Sequence, residues 1–155
     1  MARRLLIGVV GAGQASEKGA RLAEKVGRRL AEAGAVLVCG GLGGVMEAAC
    51  RGAVRAGGET IGLLPGPDPA AANDHVTLAL PTGLGHARNV LIAQVSAALI
   101  AVDGEYGTLS EIAIGLKLGR PVVAIGSRWQ VPGIRPVETA EEAVELALRL
   151  AEKRP

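Results

Sequence analysis

The residues of this chain best suited to chemistry lie in three glycine-rich segments. GAGQAS (11–16) carries Gly11 and Gly13, GGLGG (40–44) carries Gly40, Gly41, Gly43 and Gly44, and DGEYGT (103–108) carries Gly104, Tyr106, Gly107 and Thr108. Glycine reaches positive φ and leaves main-chain N–H groups bare, and a helix starting just after such a turn adds the positive end of its dipole. The chemistry on offer is therefore anion binding, phosphate above all. One helix terminus contributes about 0.3–1 kcal/mol toward a negative charge, so useful affinity requires several turns aimed at one guest. GGLGG is the most telling, because four glycines in five residues carry a backbone-entropy cost that turn geometry alone does not demand. GAGQAS reads equally well as a tight strand-to-helix turn: Ser16 stands where a dinucleotide fingerprint has its third glycine, and no acid follows the second strand to hold a ribose.

Two charged residues accompany these turns. Arg88 falls in the first turn of an expected helix, where a cation opposes the macrodipole unless an anion neutralises both; the rival reading is a solvated arginine running past Leu84 or Leu91. Glu111 follows Thr108 by three residues, a spacing that suits a capping box as well as a site carboxylate, and the two roles are compatible. Tyr106 is placed either to stack on a base or to pack. His86 reads as a polar surface residue and Glu47 as a dipole partner. Asn73, Asp74 and His75 read as loop formers that can double as lid contacts.

The elements that must position these residues follow a repeating pattern of β-branched run, glycine turn and amphipathic helix, which predicts a parallel sheet with helices on both faces. Strands are expected over 5–10, 36–39, 60–64, 76–80, 98–102 and 122–125. Helices are expected from Ser16 to Gly34, over 45–56, 85–96 and 108–118, and finally from a capping box at Thr139 and Glu142. Three prolines make 65–75 the longest irregular loop. The expected fold is a three-layer α/β/α Rossmann-like sandwich with a mostly parallel sheet of about seven strands, in one domain over 1–155.

Bulk composition narrows the function classes. The chain is 49% hydrophobic but only 1% aromatic, with no Phe, so Ala, Val, Leu and Ile must fill the core and let elements approach closely. A net charge of +2 spread along the chain, with so few stacking aromatics, argues against a nucleic-acid partner. Cys39 and Cys50 lack metal-site or disulfide spacing and read as reduced, buried thiols of a cytoplasmic protein, and no metal site is expected. The apolar run near the start is too short for a signal peptide and reads as the first strand, and no stretch suits a membrane span.

GGLGGVMEAA, TGLGHARN and GEYGTLSEI together resemble the LOG-like superfamily of nucleotide-binding proteins, often mislabelled lysine decarboxylases, over nearly the whole chain. The likeness is nearer to the branch that includes molybdenum cofactor carrier proteins, with the DNA-processing protein DprA a distant relative. Members of the superfamily include phosphoribohydrolases that split a nucleoside 5′-monophosphate into base and ribose 5-phosphate. Their P-G-G-x-G-T-x-x-E motif holds phosphate and supplies a catalytic glutamate, and an Arg-Lys pair supplies a catalytic arginine. Gly104, Gly107, Thr108, Glu111 and Arg88 match; Asp103, Glu105 and Asn89 depart from the proline, second glycine and lysine. The resemblance implies Arg88 and Glu111 as catalytic residues or, alternatively, a carrier that binds molybdenum cofactor or a nucleotide unchanged. It implies no required cofactor and a homo-oligomer, dimer or tetramer. The two extra carboxylates repel a phosphate unless Glu105 points outward.

Overall fold

A computed structural model describes residues 3–153, so two residues at each end of the expected domain lie outside it. Seven strands form one sheet: β1 (Leu6–Gly11), β2 (Val36–Cys39), β3 (Thr60–Leu64), β4 (Leu78–Pro81), β5 (Ala98–Val102), β6 (Val122–Ile125) and β7 (Arg135–Val137). Helices α1 (Glu17–Glu32), α2 (Val45–Arg55), α3 (Arg88–Val95), α4 (Tyr106–Lys117) and α5 (Ala140–Glu152) cover its faces. The strand order is β4-β3-β2-β1-β5-β6-β7, and every pairing is parallel. This is a Rossmann-like α/β/α sandwich.

Alternation along each strand divides the core in two. Ala98, Ile100 and Val102 of β5 join Ile7, Val9, Leu37 and Cys39 beneath α1, α2 and α5. Leu99 and Ala101 point the other way, to Val10, Val38 and Leu63 beneath Ile92 of α3 and Ile112 of α4. Each fully buried Leu, Ile or Val contributes about 1.5–3 kcal/mol. Glycine lets the main chains touch where α1 crosses α2: a β-carbon on Gly27 would stand 1.9 Å from the Ala49 carbonyl oxygen, and one on Gly52 2.0 Å from that of Glu24.

Local signals set most helix ends. Ser16 accepts the Gly19 N–H at 3.0 Å to start α1, which stops before Gly34 at φ 77°. Thr139 accepts the Glu142 N–H at 3.1 Å, and the Glu142 carboxylate accepts the Glu138 N–H at 3.1 Å, so the expected cap of α5 forms. Other expectations need correction. The segment expected as one helix over 85–96 is a 3-10 turn, Gly85–Ala87, followed by α3. The strand expected over 76–80 is β4, shifted toward its proline. Strand β7 has only three residues and no distinctive pattern, and its pairing with β6 alone defines it.

The topology brings the candidate residues together. The chain winds outward from β1 to β4, then returns to the opposite side of β1 as β5. Ligands of open parallel sheets bind beyond the carboxyl ends of the strands, at such a reversal.

Candidate functional site

The three glycine turns lie side by side because β2, β1 and β5 are neighbours in the sheet. The Val45 N–H donates to the Ala12 carbonyl at 3.0 Å, and Gly44, at φ 68°, lies so close that a β-carbon there would be 2.2 Å from the same oxygen. The first and second turns are therefore in van der Waals contact. First and third turns are joined by Ser16 Oγ, which donates to the Asp103 carboxylate at 3.1 Å.

This last contact separates the helix termini into two kinds. Helix α1 is occupied from within: Ser16 caps it, and the Asp103 carboxylate sits so near that a β-carbon on Gly19 would be 2.6 Å from its oxygen. Helices α2 and α4 begin at Gly44 and Glu105 with no side-chain cap. At α2 the Val45 N–H is taken by the Ala12 carbonyl, while the other first-turn N–H groups of both helices have no side-chain cap, and both dipoles point to the same edge of the sheet. Gly13 and Gly107 have no atom within 4 Å of where a β-carbon would be, so the space over them is open.

Arg88 and Glu111 lie in the protein rather than on it, at 8% and 9% exposure. The Arg88 Nε donates to the Leu63 carbonyl at 2.8 Å, and its Nη1 donates to the Asn89 side-chain oxygen. Asn89 Nδ2 in turn donates to Ser110 Oγ at 3.3 Å, and Ser110 Oγ to the Gly107 carbonyl at 3.0 Å. A polar chain thus runs from β3 through the start of α3 to the start of α4. Burial pushes the Glu111 carboxyl up to about 7, against the nearby Arg88 guanidinium, which pulls it down. A carboxyl so placed exchanges its proton near neutral pH beside a fixed cation, and can serve as acid, base or neutral donor.

These positions overturn two sequence readings. Arg88 is not a solvated arginine: a carbonyl 25 residues upstream draws it inward. Thr108 and Glu111 do not form a capping box, because α4 begins two residues earlier, at Tyr106, which places both inside the helix and buries both. The packing alternative for Tyr106 holds only at the surface: the ring is 77% exposed and leans on Trp129, with centroids 5.6 Å apart. Glu105 is exposed, and so is His86, as expected.

A model of the SLOG cluster4 family matches residues 4–152. The chain belongs to this family. A protein of Archaeoglobus fulgidus is 47% identical over 142 residues, covering 92% of this chain and 93% of its own. The molybdenum cofactor binding protein of Rippkaea orientalis superposes with a TM-score of 0.90 at 34% identity, over 97% of this chain and 99% of that one. The molybdenum cofactor carrier protein of Chlamydomonas reinhardtii gives 0.88 at 34% identity, over 97% and 100%. At the level of fold alone, DprA of Streptococcus pneumoniae gives 0.74 at 22% identity, over 92% of this chain and 61% of that one.

Within this SLOG cluster4 chain the fold brings together Gly11, Gly13, Gly40, Gly41, Gly43 and Gly44 with Gly104, Gly107 and Thr108 along three adjacent strand ends. Arg88 reaches the second turn, where a β-carbon on Gly40 would be 2.6 Å from its Nη2. Sequence reasoning passed over Ser110, the Leu63 carbonyl and the role of Ser16 toward Asp103. Only Ser16 carried any signal, as a cap. Asn73 is structural: its Nδ2 donates to the Leu42 carbonyl at 2.8 Å and its N–H to that of Gly41 at 2.9 Å, fastening the long loop to the second turn. The two thiols are free and buried with their sulfurs 3.5 Å apart, and the hydrogen bond with Cys50, then burial, push the Cys39 thiol up.

Proposed function

We propose that this protein binds a phosphorylated, nucleotide-like small molecule or cofactor and holds it unchanged. One observation carries the reading: two helix N-termini, at Gly44 and Glu105, carry no side-chain cap and share a sheet edge with the buried Arg88. In this reading the N–H groups of Gly43, Gly44, Gly107 and Thr108 receive the phosphate, with Gly11, Gly13, Gly40, Gly41 and Gly104 giving the turns their shape and clearance. Arg88 supplies the permanent positive charge and Tyr106 an exposed aromatic face. Molybdenum cofactor carries a terminal phosphate and fits this donor set. The names of the Rippkaea and Chlamydomonas proteins, alike over almost their full lengths, support that class of guest. Among the described residues no group of three or more His, Cys, Asp or Glu is placed to hold a metal ion.

The second reading is hydrolysis of a nucleoside 5′-monophosphate, and Glu111 favours it, since a carboxyl raised to about 7 beside Arg88 suits proton transfer to a leaving base. Against it stand Asp103, whose negative charge lies at the first turn, and Asn89, which keeps its amide on Arg88 and Ser110 where a lysine would bring charge. Incubation with AMP and GMP decides between the two. The carrier reading expects a thermal shift that Arg88→Ala removes and no ribose 5-phosphate at high protein concentration; steady release of ribose 5-phosphate establishes the hydrolase.

A homo-oligomer belongs to the same proposal. Val90 and Val95 of α3 and Leu118, just past α4, are exposed, and light scattering tests whether a second copy covers them. No nucleic-acid partner is expected, so binding of single-stranded DNA that weakens steeply with salt would contradict the proposal. No helix among the described residues is long and apolar enough to cross a membrane.

A further inference from the structure

Beyond the glycine turns, the same edge of the sheet holds a cavity of about 580 Å³ at the ends of β6 and β7, between Gly126, Trp129, Val131, Ile134 and Val137. That volume lies in the range of small-molecule sites. The strand ends leading to it are level: Gly11 pairs with Val102, Val102 with Ile125, and Ile125 with Val137. Adjacent strands lie roughly 4.8 Å apart, so Glu138, just past β7, is about 10 Å across the edge from Asp103 and the α4 turn. A nucleoside monophosphate spans a comparable length. Gly126 also lines the small cleft shared by Ser16, Gly19 and Asp103, so one residue borders both the cavity and the first and third turns.

The lining has the character of a ring site. Its walls are Val131, Ile134, Pro136 and the indole of Trp129, and its polar side chains are Ser127, Gln130 and Glu138. Glu138 takes part in no ion pair, and its side chain in no hydrogen bond, among the described residues; only its main-chain N–H is engaged, by Glu142. A free carboxylate at an apolar wall accepts two parallel N–H groups, and Gln130 offers both a donor and an acceptor. The indole N–H of Trp129 is buried with no hydrogen-bond partner among the described residues, and buried donors ordinarily have one.

We infer that this cavity is a subsite for a flat 2-amino-4-oxo pyrimidine-type ring, the system shared by guanine and pterins, with Glu138 accepting its adjacent ring N–H and exocyclic amine. Adenine lacks that donor pair and is disfavoured. The inference rests on the phosphate-binding reading and names the other end of the same guest.

Trp129 is the only tryptophan in the chain and lines the cavity, so its fluorescence reports occupancy. Titration with GMP is expected to change that fluorescence saturably, with an affinity about tenfold or more above that for AMP, the discrimination typical of one bidentate base contact. Glu138→Gln is expected to erase the preference while leaving AMP binding within about twofold. Neopterin monophosphate tests the pterin source: competition with GMP at equal or lower concentration assigns the subsite to pterins, and failure to compete assigns it to guanine nucleotides. Equal binding of GMP and AMP, or binding that leaves Trp129 silent while Arg88→Ala still abolishes the thermal shift, overturns the ring subsite alone. Absence of any thermal shift with all three ligands overturns the phosphate reading and this inference with it.

Discussion

The guanidinium of Arg88 lies against the α-carbon of Gly40, so that a β-carbon at residue 40 would stand 2.6 Å from Nη2 and 2.9 Å from the sulfur of Met46. Both neighbours are the flexible ends of side chains, and the Gly40 backbone has ordinary φ. Gly40→Ala is therefore expected to displace the arginine rather than unfold the chain. Stability should fall by about 1 kcal/mol, near the lower end of overpacking costs. Nucleotide affinity should fall about tenfold, the loss of one charged hydrogen bond. Calorimetric titration and thermal melting of the same variant separate the two effects.

Glu111 makes stability depend on pH in an unusual direction for a carboxyl. Its ordinary value is 4.5 and burial lifts it to about 7. Between those values the folded chain keeps a proton that the unfolded chain has released, so stability falls as pH rises across that window. The slope from this one group is at most about 1.4 kcal/mol per pH unit, and it vanishes above the folded value. Urea midpoints measured from pH 4.5 to 8 should show the decline, and Glu111→Gln should flatten it.

Asp103 holds two positions at once: a left-handed backbone at φ 57° and a carboxylate accepting from Ser16. Asparagine tolerates that backbone and keeps an acceptor oxygen for Ser16, but it carries no charge. Asp103→Asn should therefore leave the melting temperature nearly unchanged and strengthen phosphate binding about threefold or more, most clearly at low salt. Unchanged inorganic phosphate affinity would mean that the guest lies beyond reach of this carboxylate.

Gly27 tests the packing of the helices rather than the site. A β-carbon there would lie 1.9 Å from the Ala49 carbonyl oxygen, and main chain cannot swing aside as a side chain can. Gly27→Ala should lower stability by about 2–3 kcal/mol by forcing α1 from α2. Ligand affinity, measured well below the new melting temperature, should stay within about twofold because α1 is already capped by its own residues.

Local chemistry determined much of this protein. β-branched runs delimit β2, β3, β5 and β6 at the expected ends, Ser16 and Thr139 start their helices, and Gly34 stops one, because each signal acts within a few residues of itself. The glycine clusters likewise mark where anions can approach. What the turns do together was a matter of strand order: β5 had to return beside β1 before DGEYGT could meet GAGQAS, and no local signal encodes that return. Tertiary contacts also decided the charges. Leu63 draws Arg88 into the protein, the early start of α4 turns Glu111 inward, and burial rather than sequence neighbours lifts its carboxyl toward neutrality. Desolvation and long-range hydrogen bonds depend on what surrounds a residue in space, so residue types and spacing name the groups, and only the folded chain sets their charge, direction and company.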